Sequence, residues 1–246
     1  MRGTGVAALA DLLLPTSCAG CGAERVPLRR GVCADCVAVI ALLRPRETRP
    51  TPAPPGLPPC ACLGDYADPL RSLVLAYKDR GRHRLAEPLG ALLSVVVAEV
   101  AGGHPVLLVP VPDTARAARA RHGDHMARLV RSTARRLVRD GVDARCAYPL
   151  KALDRRDSAH LSAAERADQA VNAFVVRASR FARVRSLARG RVVIAVDDVV
   201  TTGSTLAAVS HRLSEAGVQV AAGVTLAATI LRLADTAGGV AVSAGR

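Results

Sequence analysis

Apolar positions along the chain follow two rhythms. In Leu70–Tyr77, Leu85–Val100 and Asp124–Arg139 they recur at helical spacing, the last through Met126, Leu129, Val130, Ala134, Leu137 and Val138. Elsewhere they run unbroken: Val106–Val111, ending in Pro-Val-Pro, then Phe174–Val176, Arg191–Val196 and Val218–Ala228. Runs this short and apolar read as buried strands. Ser204–Ala216 reads as a helix closed by Gly217, the usual residue just past a helix end. Strands separated by helices predict an α/β fold, a parallel sheet with helices on both faces.

Outside this alternation the pattern changes. Residues 1–43 hold a short amphipathic segment, Met1–Leu14, and four cysteines. Asp11 interrupts the apolar stretch and no small-residue cleavage pattern precedes Cys18, so it reads as a helix rather than a signal peptide, and a cytoplasmic protein is expected. Residues 44–59, RPRETRPTPAPPGLPP, read as an extended proline-rich linker. Residues 60–230 form the main α/β domain, and 231–246, rich in Ala and Gly, a flexible tail. The 246 residues suffice for one sizeable core and a small appendage, and no uninterrupted apolar run is long enough to span a membrane.

The net charge of +13 invites a nucleic-acid reading. It is weakened by composition: only Lys78 and Lys151 are lysines, the arginines are scattered, and Tyr66, Tyr77, Tyr148, Phe174 and Phe181 are the whole aromatic set, too few for a base-stacking platform. Contact with phosphate backbones stays open on charge alone.

The most informative stretch is Val193–Thr205, VIAVDDVVTTGST. A buried strand carries the chain to the carboxyl edge of the sheet, where open α/β sheets bind ligands. Asp197 and Asp198 follow; adjacent carboxylates there can accept hydrogen bonds from two vicinal hydroxyls or help hold magnesium. Val199 and Val200 lead to Thr201, Thr202, Gly203, Ser204 and Thr205 at a helix start, where backbone amides, hydroxyls and the helix dipole form an anion cradle. Gly203 would let the backbone approach a phosphate closely. Diol and phosphate sites side by side match a ribose 5-phosphate. The plainer alternative, Asp and Thr acting only as helix caps, needs fewer such residues than the segment contains.

This segment resembles the phosphoribosyl-pyrophosphate (PRPP) motif of type I phosphoribosyltransferases, in which the acids hold the ribose hydroxyls and the loop holds the 5-phosphate. Other segments resemble the ComF family, competence-associated proteins with an N-terminal cysteine module and a phosphoribosyltransferase-like domain. They are YKDRGRHRLAEPLG at 77–90, VPVP at 109–112, RARHGDHMARL at 119–129 and LSAAERADQAVNAF at 161–174. One departure is Arg121-His122-Gly123 in place of the family's Arg-Gly pair. The resemblance implies PRPP binding with magnesium, transfer of phosphoribosyl to an unidentified acceptor, and a role in competence and DNA uptake.

A departing pyrophosphate needs positive charge and magnesium. Candidates are Lys78, Arg119, Arg121, Arg155 and Arg156, each otherwise readable as solvated surface charge. Arg155 and Arg156 lie where the resemblance implies a mobile catalytic loop. His122 and His125 read as polar residues at a helix start, with acid–base work as the alternative; His104, His160 and His211 have no evident partner.

Cys18-x-x-Cys21 and Cys33-x-x-Cys36, eleven residues apart, have the spacing of a four-thiolate structural zinc site. Two disulfides are disfavoured without a secretion signal, and a redox role without a thioredoxin-like fold. Cys60, Cys62 and Cys146 read as small buried residues. Three function classes follow: a phosphoribosyltransferase; a non-catalytic protein binding PRPP in transforming-DNA handling, partnering a helicase or single-stranded DNA; and, leaving the ribose-phosphate motif unexplained, a zinc-finger DNA binder.

Overall fold

The computed structural model of the chain describes residues 17–121, 123–153 and 173–229. In chain order the elements are α1 (Ala34–Ala41), β1 (Arg46–Thr48), β2 (Cys60–Asp65), α2 (Leu70–Lys78), α3 (Ala86–Ala101), β3 (Val106–Pro110), α4 (Ala115–Ala120) and α5 (His125–Arg139). There follow β4 (Ala144–Cys146), β5 (Leu150–Ala152), β6 (Phe174–Val176), α6 (Ala178–Ala188), β7 (Val192–Val196), β8 (Val199–Val200), α7 (Ser204–Glu215) and β9 (Ala222–Ala228). The helices and strands expected within the described residues are present, with ends shifted by a few residues, and the strand expected from Val218 begins only at Ala222; the helix expected at Met1–Leu14 and the tail expected at 231–246 lie outside the described residues. Gly217 has φ +74°, the left-handed conformation expected just past α7.

Strands run β1-β2-β9-β7-β3-β4, with β8 beside β9. All pairings in this sheet are parallel except the antiparallel edge pair β1–β2. Alternation along the strands sorts the core into two halves. Val106, Leu108, Ile194, Val196, Val224 and Leu226 face a cluster completed by α2, α3 and α5. Leu107, Val109, Val193 and Ala195 face one completed by α6, α7, and Leu150 and Phe174 of the antiparallel pair β5–β6. The sheet is therefore covered on both faces, as its nearly continuous apolar strands require.

Two segments differ from expectation. The proline-rich stretch 44–59 carries edge strand β1 and buries Pro50 and Leu57, because backbone pairing with β2 needs no apolar side chains. Strand β2, CACLGD, went unrecognised: it is short, lacks β-branched residues and is nonetheless buried along five of its six positions. The cysteine zone packs into the first half of the core, where Val32, Cys33, Cys36 and Ile40 join Leu73, Leu85 and Leu89.

Helices α3 and α5 cross at Gly90. A Cβ there would lie 2.7 Å from Ser132 Cβ and 3.0 Å from the Thr133 backbone nitrogen. Gly90→Ala is expected to lower stability in chemical denaturation by about 1–3 kcal/mol through overpacking. Adding Ser132→Gly should recover part of that loss.

Candidate functional site

The sheet's connections place a crevice between β3 and β7. From β3 the chain moves outward to β4; from β7 it moves the other way to β9. Helix α5, after β3, covers one face and α7, after β7, the other. The carboxyl ends of these two strands diverge at a topological switch point, the position where open α/β sheets take ligands. Both strand ends carry acids: Asp113 just past Pro110-Val111-Pro112, and Asp197 and Asp198 past Val196.

The two adjacent acids have different surroundings. Asp198 is 3% exposed. Its Oδ2 meets Lys78 Nζ at 2.7 Å and His125 Nε2 at 3.2 Å. Asp197 is half-buried, and its Oδ1 accepts the Asp198 backbone N–H at 2.9 Å. Burial alone would raise Asp198, but His125 and Lys78 outweigh it and hold the carboxyl down at about 2. Asp197, next to that fixed negative charge and without its own cation, is pushed up to about 7, first by burial and then by Asp198.

His125 opens α5 and is buried, not a solvated helix-start residue. Asp124 is the N-cap of that helix, accepting from Ala127 N at 2.8 Å. The imidazole spans two carboxylates, with Nδ1 at 2.5 Å from Asp113 Oδ2 and Nε2 toward Asp198. Burial disfavours its charged form, yet the hydrogen bonds to Asp113 and Asp198 prevail and push it up to about 9. Tyr77 donates its hydroxyl to the His125 carbonyl at 2.6 Å. Asp113 was missed as a site residue, and His125 was weighed for acid–base work only as an alternative to a polar helix-start residue. The reasoning applied to the end of β7 would have found Asp113 at the end of β3; nothing local in the sequence marks His125 as Asp113's partner.

The expected cations are distributed unevenly. Lys78, at the end of α2, is raised despite its burial because Asp198 faces it. Arg121 donates to Asp113 at 3.2 Å and Asp79 at 3.3 Å, so it braces the acidic crevice. Arg119 is exposed on α4. Arg155, Arg156, His122 and His160 lie outside the described residues.

Beyond the acids, Thr201 and Thr202 are exposed, and Thr202 Oγ1 lies 3.1 Å from Ser204 Oγ. Ser204 and Thr205 open α7, whose N-cap Gly203 supplies no side-chain cap. Neither acid caps this helix; its first amide, Ser204 N, donates to Thr202 Oγ1 at 3.4 Å. Gly203 has φ +76°. A Cβ there would lie 2.9 Å from Leu57 Cδ2 and 3.3 Å from Pro50 Cγ. The close approach that this glycine permits is thus to the proline-rich stretch.

The four cysteines converge. Their Sγ atoms all lie within 4.8 Å of one another. Cys18 and Cys36 are 3.8 Å apart, and Cys21 and Cys33 3.7 Å. Disulfide sulfurs would be about 2.0 Å apart, whereas thiolates at about 2.3 Å on a tetrahedral ion are separated by about 3.8 Å. Backbone amides of Gly20 and Cys33 point at Cys18 Sγ from 3.4 and 3.3 Å, as anionic sulfur requires. The four thiols can hold a structural zinc ion and leave it no open position. Cys60 and Cys62 are buried on β2, apart from this cluster.

Two outcomes follow. Asp197, raised from about 4 to about 7, makes the folded chain lose stability as pH rises through that interval. Asp197→Asn should therefore match the parent at pH 4 and exceed it in denaturation midpoint at pH 8; equal midpoints at pH 8 would contradict the strained-acid reading. For the cysteines, elemental analysis should find one zinc per chain, and Cys36→Ser should reduce that content and lower the melting temperature.

No curated protein matches the chain. Residues 127–238 match the phosphoribosyl transferase domain family. The matched segment takes in α5, β7, the Asp197–Thr205 loop and α7, so the chain contains a phosphoribosyltransferase-type domain joined to an N-terminal cysteine cluster.

Proposed function

We propose that the crevice between β3 and β7 binds PRPP with magnesium. The observation that carries this reading is the placement of a half-buried carboxylate, Asp197, directly before a hydroxyl-rich helix entrance at the switch point, where the Ser204 amide donates to the Thr202 hydroxyl. Thr201, Thr202, Gly203, Ser204 and Thr205 would hold the 5-phosphate through backbone amides and hydroxyls. Asp197 would accept from the ribose hydroxyls, and Asp198, through Lys78 and His125, would fix the strand end. Magnesium, carried in with the pyrophosphate, would neutralise its oxygens and ease the departure of that group. Arg119, Arg121, Arg155 and Arg156 are the cations proposed to face the pyrophosphate.

The ComF resemblance supports placing this activity in the handling of incoming DNA in the cytoplasm, beside a helicase or single-stranded DNA. No helix among the described residues is long and apolar enough to cross a membrane. A second reading, binding without transfer, is favoured by one feature: the Lys78 ammonium is already engaged by Asp198 at 2.7 Å. Transfer would need that cation, or the arginines, to turn to the leaving group.

Calorimetry with PRPP and magnesium is expected to show one site per chain. Asp197→Ala should weaken binding by about tenfold or more, the loss of charge-assisted hydrogen bonds worth about 1.5–3 kcal/mol. Pyrophosphate release with a panel of nucleobases then separates the readings. Release identifies a transferase; binding without release from any acceptor supports the binding protein; and absence of binding overturns both.

A further inference from the structure

Away from the crevice, a second concave surface lies between α3, α5 and the cysteine zone. It is a groove of about 560 Å³. One wall is a stripe of arginines on α5. Arg128, Arg135 and Arg139 are seven and eleven positions apart. At about 3.6 residues per turn and 1.5 Å rise they fall within about 20° of one line and span about 16 Å. The facing wall brings Arg84, from the turn that enters α3, and Arg30, from the cysteine zone. A neighbouring space of about 650 Å³ shares Arg30, His83 and Arg84 and extends the track past Arg82.

Charge in this groove is unbalanced. Glu87 is its one lining carboxylate among the described residues and is matched by Arg30 at 2.8 Å. Arg136 is matched by Asp140 at 2.7 Å, and Arg128 donates to His83 Nδ1 at 3.0 Å. Arg84, Arg135 and Arg139 face no carboxylate among the described residues. Gathering like charges on concave walls costs stability and concentrates anions. Guanidinium groups bind phosphate oxygens bidentately. No Phe, Tyr or Trp side chain lines either space, which leaves only His83 and the guanidinium planes to stack on a base. The elongated track suits several phosphates in a row better than one.

We propose that this groove is a binding site for linked phosphates, an oligophosphate chain recognised through its phosphate oxygens. It lies outside the ribose-phosphate crevice and does not depend on the function proposed for that crevice.

The test is calorimetry with tripolyphosphate on the full chain. Buffer of physiological ionic strength contains excess magnesium, to protect the cysteine site, and excess ribose 5-phosphate, to fill the crevice. One variant carries Arg84→Gln, Arg135→Gln and Arg139→Gln, which remove the charge at exposed positions while keeping an unbranched polar side chain of similar helix propensity. A charge-matched control carries Arg183→Gln, Arg185→Gln and Arg189→Gln, exposed on and beside α6 across the sheet. The groove variant is expected to bind about tenfold or more weakly, and the control within about threefold of the parent. Equal losses in the two variants would assign the binding to diffuse net charge and overturn the proposal, as would no binding by the parent. A thymidine oligonucleotide with as many phosphates should bind more weakly than tripolyphosphate; equal or tighter binding would make this a nucleic-acid surface instead. Should the triple variant fail to fold, Arg135→Gln alone carries the comparison against Arg183→Gln.

Discussion

Asp198 stays charged inside the protein because Lys78 and His125 reach it from two different helices. An isolated buried carboxylate would take up a proton; a paired one persists only where geometry supplies partners for its oxygens. Here the partners come from the end of α2 and the start of α5, and Asp113, at the end of β3, completes the set by holding the far side of the imidazole. Four elements are thereby tied to one carboxylate. Removing one cation from such a buried group leaves the rest uncompensated, a loss of about 3–5 kcal/mol in comparable cases. The crevice is consequently a rigid frame on its α2 and α5 side. Its softer side is the Thr201–Thr205 loop, where hydroxyls meet solvent and one another.

That asymmetry assigns the two neighbouring acids different work. Asp198 spends its charge on the frame. Asp197 is half-buried with a raised carboxyl and has no ion pair of its own among the described residues. A carboxyl raised in this way at a strand end marks a candidate for ligand binding, the role proposed for it above.

Much of this was legible in the sequence because the signals were local. Met126, Leu129, Val130 and Leu137 mark α5; the unbroken runs around Leu107 and Ile194 mark buried strands; and Cys18, Cys21, Cys33 and Cys36 announce their convergence by spacing alone. The Asp197–Thr205 loop was readable because strand, acids and helix entrance are contiguous. What escaped was non-local. His125 is separated by 73 residues from the acid it pairs with. Asp113 gains its role only when β3 lies beside β7. Strand β2 is held by pairing to β9, at the far end of the domain, and not by any preference of Cys-Ala-Cys-Leu-Gly-Asp.

The proline-rich stretch shows how a segment with little core of its own can set geometry elsewhere. Leu57 and Pro50 fill the space where a side chain on residue 203 would stand. The spacer between β1 and β2 is in effect a wedge under the Thr201–Thr205 loop, and its length is constrained. A deletion or insertion between positions 50 and 57 would shift the Thr201–Thr205 loop while leaving every residue of that loop unchanged. Drift in this region, easily dismissed as variation in a tether, is therefore a route by which such a protein can reshape the loop proposed to hold a sugar phosphate.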